Sequence, residues 1–362
     1  MKLAARPAAT ELDLLESFSV VVPDTGALGE IQQIDDPKAA TVSSAVLTGI
    51  LRNPAGQQEL KAAIEHAITF DRCSALPADR KLACQLDKAT VNVGALFAQK
   101  VAGRVSTEVD PRLAYNTGAI VERAEGLLAL YEEMGVPGDR VLVRIPATWE
   151  GIQAAKALEA KGIATHLILV YSFVQAVAAA QAGVSVVQPN IGRLHDWYVK
   201  HPGFPRDPKG PREDSGFTSD ANPGLAMVER IYNLCHQAYP KTKVMVSGIR
   251  KPEEARSLSG VDFMVLSPPV LAALRGTPTL QGYNDGLSSE SAAANEPRPQ
   301  LSQQAAAAAS FDKAELAPVT NQLLQEGLGM AGVQLLKEGV DGLVADIERL
   351  VPFFTSLTIG NE

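Results

Sequence analysis

An arginine interrupts the branched run VLVRIPATWE at residues 141–150. A strand this apolar belongs in a core, and a guanidinium stays protonated there, with a pKa above about 12. Arg144 therefore calls for carboxylates around it, an anionic ligand, or both, because an uncompensated buried cation is strongly destabilising. Its fork suits anion binding, and its delocalised nitrogens are poor nucleophiles. His166, in ATHLILVY, could carry a proton, since its reference pKa lies near ~6.5. A lone histidine near a strand end is more often a hydrogen-bonded packing residue, and that reading is preferred. Cys73, Cys84 and Cys235 show no C-x-x-C or Cys/His ligand spacing. They read as reduced structural thiols, with a Cys73/Cys84 redox pair as the alternative. No metal site is expected.

The elements that must position these residues follow from the hydrophobic pattern. Short branched runs at 18–24, 39–47, 103–109, 140–146, 164–171, 184–190, 243–249 and 261–267 read as eight strands. Helical patterns lie between them. In WEGIQAAKALEAKG, Thr148 suits the N-cap and Gly162 the stop, and YSFVQAVAAAQAGV repeats the plan to Gly183. Alternation of this kind predicts a (β/α)8 TIM-type barrel over 1–275, with polar residues at the C-terminal strand ends forming the site. A doubly wound open sheet is the runner-up. The long span between strands two and three must hold extra helices such as QQELKAAIEHAITF. Residues 276–310, rich in Ser, Gln, Pro, Asn and Ala, read as an exposed loop or linker whose Ala run could open a helix. Residues 311–362 form a C-terminal helical extension expected to pack on the barrel.

The 362 residues are 46% hydrophobic and carry a formal charge of −8 without a basic block. That gives no support to nucleic-acid or anionic-membrane binding, while a few local arginines could still hold a small phosphate. No run of 18 apolar residues and no secretory leader pattern is present, so the expected setting is intracellular and soluble. No dinucleotide, P-loop or zinc-protease motif stands at a strand end, and no cofactor is expected.

Several stretches together resemble the transaldolase family: VVPDTG (21–26), GRVSTEVDPRLAYNT (103–117), RVLVRIPATWEGIQAAKALEAKGI (140–163), YSFVQAVAAAQAGVSVV (171–187), IGRLHDWY (191–198) and the GIR ending at Arg250. PKAATVSSAVL, in place of the D-A-T-T-N-P pattern, resembles plant and algal plastid relatives, which points to the chloroplast stroma. The resemblance implies a barrel that moves a dihydroxyacetone unit between sugar phosphates. A strand-four lysine forms a Schiff base, and a strand-one Asp and a strand-three Glu handle protons, matching Asp24 and Glu108. Two phosphate-binding arginines match Arg193 and Arg250. The lysine falls on Arg144. The resemblance also puts Ala40, Val42, His166, Ile168, Gln188 and Asn190 in the mouth, where the family has Thr, Asn, Asn, Thr, Ser and Phe.

Imine formation needs a neutral amine, which Arg cannot supply. The preferred function is therefore a barrel that has lost Schiff-base catalysis and serves as a sugar-phosphate-binding, regulatory or scaffolding protein. For Arg144 a static pairing with Asp24 and Glu108 is preferred to ligand contact, and the two are compatible. One alternative is an active transaldolase with a relocated lysine, Lys38 being the candidate. The other is an interaction protein whose 276–310 segment contacts a partner. Whether the chain pairs with another protein or a second copy is left open.

Overall fold

The computed structural model describes residues 10–24, 26, 31, 37–53, 57–202, 222–279 and 299–359. The eight branched runs form eight parallel strands: β1 Val20–Pro23, β2 Ala39–Val42, β3 Arg104–Glu108, β4 Val141–Pro146, β5 Thr165–Val170, β6 Val186–Pro189, β7 Lys243–Ile249 and β8 Phe263–Leu266. Their hydrogen-bonded order is β1-β8-β7-β6-β5-β4-β3-β2, and β1 comes back beside β2. The sheet is thus a nearly closed (β/α)8 barrel, and the open-sheet alternative is set aside. Most loops end as the capping residues dictate. Thr148 Oγ1 accepts the Gly151 N–H at 2.9 Å, and Gly162 and Gly183 take φ of +80° and +78° after their helices.

The expected second strand was too long. It stops at Val42, and Ser43 caps a helix, Ser44–Arg52, by accepting the Val46 N–H. The Ser-Ser pair is a helix-start signal that outweighs the branched residues after it. Between β2 and β3 lie the extra helices Gln58–His66, Asp71–Ser74 and Ala78–Ala98.

Alternation along each strand divides the core. Val22, Ala39, Leu142, Val186 and Met245 fill the interior of the barrel, and a larger outer layer, including Val105, Val143 and Leu167, packs beneath the helices. Ala40 and Val42 belong to the outer layer. The expectation that they face the mouth is corrected: Ala39 is in the inner plug, and Thr41 is in register with inward-facing Ser106.

Cys73 and Cys84 form a disulfide, with their Cα atoms 5.4 Å apart, while Cys235 is free and buried. Two of the three cysteines are therefore not the reduced thiols expected. The turn after Ser74, closed by Ala75 N–H to Asp71 O and Leu76 N–H to Cys73 O, folds one helix back on the next. A spacing of 11 residues does not reveal that approach.

The segment Asn321–Ile359 is helical on both sides of a break at Gly329, where φ is +64°. It packs on helices Ser44–Arg52, Phe173–Gln181 and Ile191–Lys200 and on β5. Gln303–Ala308 is a short helix against Pro223–Ala238. Residues 1–9 and 280–298, on which the leader and linker readings partly fall, lie outside the described residues. Among the described residues no helix is long and apolar enough to cross a membrane.

Two stability tests follow from this packing. The Tyr131 hydroxyl bonds Thr107 at 2.6 Å, and a Cβ on Gly94 would lie 1.8 Å from it. Gly94→Ala should cost about 1–3 kcal/mol by overpacking, read from urea denaturation. Reducing Cys73–Cys84 with dithiothreitol should remove at most about 3 kcal/mol, given its short loop, and a Cys73→Ser/Cys84→Ser protein should show no further change on reduction.

Candidate functional site

The register of three neighbouring strands sets the floor of the mouth. Glu108 is paired with Arg144 and Arg144 with His166, so all three project to the same side of the sheet at one level. Arg144 Nη1 donates to Glu108 Oε2 at 2.9 Å, and the two side chains are 16% and 3% exposed. The other carboxylate oxygen of Glu108 accepts from the Ser44 N–H at 3.1 Å and the Ser44 hydroxyl at 2.9 Å. The start of the helix after β2 thus holds the acid that holds the arginine. Burial pushes the Glu108 carboxyl above its ordinary range, while Arg144 and the Ser44 bonds oppose that rise and Asp346 adds to it. Arg144 Nε is buried and has no acceptor among the described residues.

His166 is fully buried. Its Nδ1 lies 2.8 Å from the Ser106 hydroxyl, two residues before Glu108 on β3. Burial, then Arg144, drives its pKa down to about 3, with Gln188 pushing the other way. Among the described residues no hydrogen bond of normal geometry reaches Nε2, although Gln188 is close enough to act on the ring. The ring is therefore neutral near pH 7, which agrees with a packing role and removes the cationic one.

Above this floor opens a cavity of about 290 Å³. Its barrel wall is Arg144, Ile168, Leu169, Gln188, Asn190 and Ser247, with Arg193 at the first turn of the helix after β6. The opposite wall comes from the C-terminal helix through Gly339, Gly342, Leu343, Asp346 and Arg349. Asn190 caps helix Ile191–Lys200 by accepting the Arg193 N–H at 3.0 Å. Leu169 has φ of +61° at a register shift in β5, and its side chain meets the C-terminal helix where residue 339 has no Cβ. A leucine in that conformation is strained.

The remaining site residues are placed differently from one another. Arg250 lies against Gly192 and puts both terminal nitrogens on Asp196, one of them at 2.6 Å to Oδ2. It is not part of the described cavity wall, so Arg193 and Arg250 do not line it together. Asp24, at the end of β1, is exposed, is outside the cavity wall, and forms no ion pair with Arg144. The expected double neutralisation is corrected: among the described residues Arg144 forms its ion pair with Glu108 and not with Asp24. Lys38 stands exposed at the N-terminal end of β2, away from the mouth, and no lysine lines the described cavity. Among the described residues no cluster could hold a metal ion.

Ser44, Asp346 and Arg349 were not foreseen. Ser106 could have been found from its i, i+2 relation to Glu108, whereas nothing local marks the two C-terminal residues.

The sequence matches the Transaldolase/Fructose-6-phosphate aldolase family over residues 21–331. It is 36% identical to a transaldolase of Homo sapiens over 347 residues, covering 95% of this chain and 93% of that protein. A transaldolase of Rattus norvegicus is 35% identical over 345 residues, with 95% and 93% covered. One of Alteromonas mediterranea is 37% identical over 268 residues, with 74% and 79% covered.

The histidine makes a signed prediction. Its folded pKa is depressed below the unfolded value, so its contribution to stability is present above pH ~6.5 and is lost as pH falls toward 3. In urea denaturation the wild type should lose up to about 1.4 kcal/mol per pH unit through that window relative to His166→Asn. Parallel pH profiles of the two proteins would remove the buried neutral histidine.

Proposed function

Because the chain belongs to the Transaldolase/Fructose-6-phosphate aldolase family, we propose that its mouth binds a sugar phosphate and forms no imine with it. The observation that carries this reading is Arg144 on β4, paired with Glu108 where the family resemblance puts the Schiff-base lysine. An imine requires a nitrogen lone pair to attack the ketose carbonyl and then lose water. A guanidinium has no such lone pair at neutral pH. The absence of a lysine from the described cavity wall argues against a relocated nucleophile.

Each residue then takes a binding role. Arg193, on the rim, grips the phosphate with a planar fork and the first-turn amides of its helix beside it. Arg250 can join it only by giving up Asp196. Gln188, Asn190 and Ser247 offer amide and hydroxyl groups to sugar hydroxyls. Glu108 acts as the counterion of Arg144 in place of a proton carrier, and Asp24 at the open edge of β1 has no imine to serve. Loss of the transfer reaction leaves a sensor or scaffold that responds to the sugar-phosphate level. The plastid resemblance supports a stromal location, which imaging of a fluorescent fusion would test.

The test is a coupled transaldolase assay with fructose 6-phosphate and erythrose 4-phosphate, run beside borohydride trapping. The wild type should show neither turnover nor a reduced adduct, while calorimetry should register sugar-phosphate binding that Arg193→Met weakens about tenfold. Steady turnover by the wild type would end this reading.

A further inference from the structure

Arg144 uses only part of its hydrogen-bonding capacity. Nη1 donates to Glu108, yet among the described residues the buried Nε–H has no acceptor. An unsatisfied buried donor on a cation is costly, and the same guanidinium lines the cavity, so a bound acceptor toward which the Nε edge turns is the natural partner. A guanidinium edge carries two parallel N–H groups and a positive charge. A carboxylate matches both properties, whereas a ketone oxygen carries no full charge and cannot span the two N–H groups with two oxygens.

The cavity walls add a second, independent constraint. Arg144 sits at the floor and Arg193 on the rim, and Gln188, Asn190 and Ser247 line the same cavity, with Leu343 on the wall from the C-terminal helix. The two cations thus share the cavity with groups suited to hydroxyls. One small anion would satisfy only one end of a cavity of about 290 Å³. Counting the carboxylates, Arg144, Arg193 and Arg349 face Asp346 and Glu108, which leaves the walls positive. A polyhydroxylated chain with an anion at each end fits all of these features.

Resting on the sugar-phosphate reading above, we infer that the preferred ligand is a phosphorylated sugar acid, with its carboxylate on Arg144 and its phosphate on Arg193. The replacement of lysine by arginine then changes which functional group the floor recognises, from a carbonyl to a carboxylate. No bond is made or broken in this step.

Calorimetry on the full chain tests it with three probes: 6-phosphogluconate, which has a carboxylate and a phosphate; fructose 6-phosphate, which has a ketone and a phosphate; and inorganic phosphate. The wild type should bind 6-phosphogluconate about tenfold or more tightly than fructose 6-phosphate, with inorganic phosphate weakest. Arg144→Gln, which cannot form an imine and keeps a donor for Glu108, should bring the two sugar ligands to within about threefold by weakening the acid alone. Arg193→Met should weaken both sugar ligands about tenfold and preserve their ratio. Equal or tighter binding of fructose 6-phosphate by the wild type would overturn the sugar-acid preference and leave the proposed function standing. Failure of all three probes to bind would overturn both. The wild-type ratio decides the matter even where a variant does not fold.

Discussion

The ion pair between Arg144 and Glu108 is the interaction around which the barrel mouth is organised. A buried cation and a buried carboxylate are each costly alone, so neither residue can be removed without exposing the other to that cost. Ser44 completes the arrangement by donating twice to Glu108. Three elements are joined in this way: the start of the helix after β2, the end of β3 and the middle of β4. Their relative position fixes the depth of the floor, and with it the distance a ligand must reach.

The two kinds of arginine in the mouth region illustrate how little residue type says by itself. Arg250 and Arg193 follow comparable strand–loop signals, yet Arg250 has both terminal nitrogens on Asp196, whereas Arg193 lines the cavity. Arg144 is intermediate, with one edge committed to protein and the rest of its donors less so. What each guanidinium can offer a ligand is set by the carboxylate beside it. The neutral, buried His166 has the same lesson for histidine, because burial and the adjacent Arg144 settle its charge.

Much of the architecture could be read from the chain because branched runs and capping residues are local signals. All eight strands stand within the expected runs, and the second run extends furthest past its strand, where Ser43 starts a helix. The adjacency of Glu108 and Arg144 also followed once both were placed on neighbouring strands. What could not be read depends on contacts between distant segments. Asp346 and Arg349 reach the mouth because a helix near the end of the chain crosses it, and Asp196 meets Arg250 across a loop and a helix. The Cys73–Cys84 bond likewise depends on a reversal between two helices. Matching Ala40 and Val42 to family positions at the mouth does not fix the phase of alternation along β2, which turns both toward the outer layer.

The strained backbone at Leu169 has a consequence for the order in which the protein is made. Its side chain packs where Gly339 leaves room, 170 positions later in the chain. During synthesis the ribosome releases β5 long before the residues that cover it. The mouth of the nascent barrel therefore lacks one wall until translation is nearly finished, and a ligand can find its full complement of contacts only on a completed chain. A chain that stops short of Gly339 lacks the wall that carries Asp346 and Arg349.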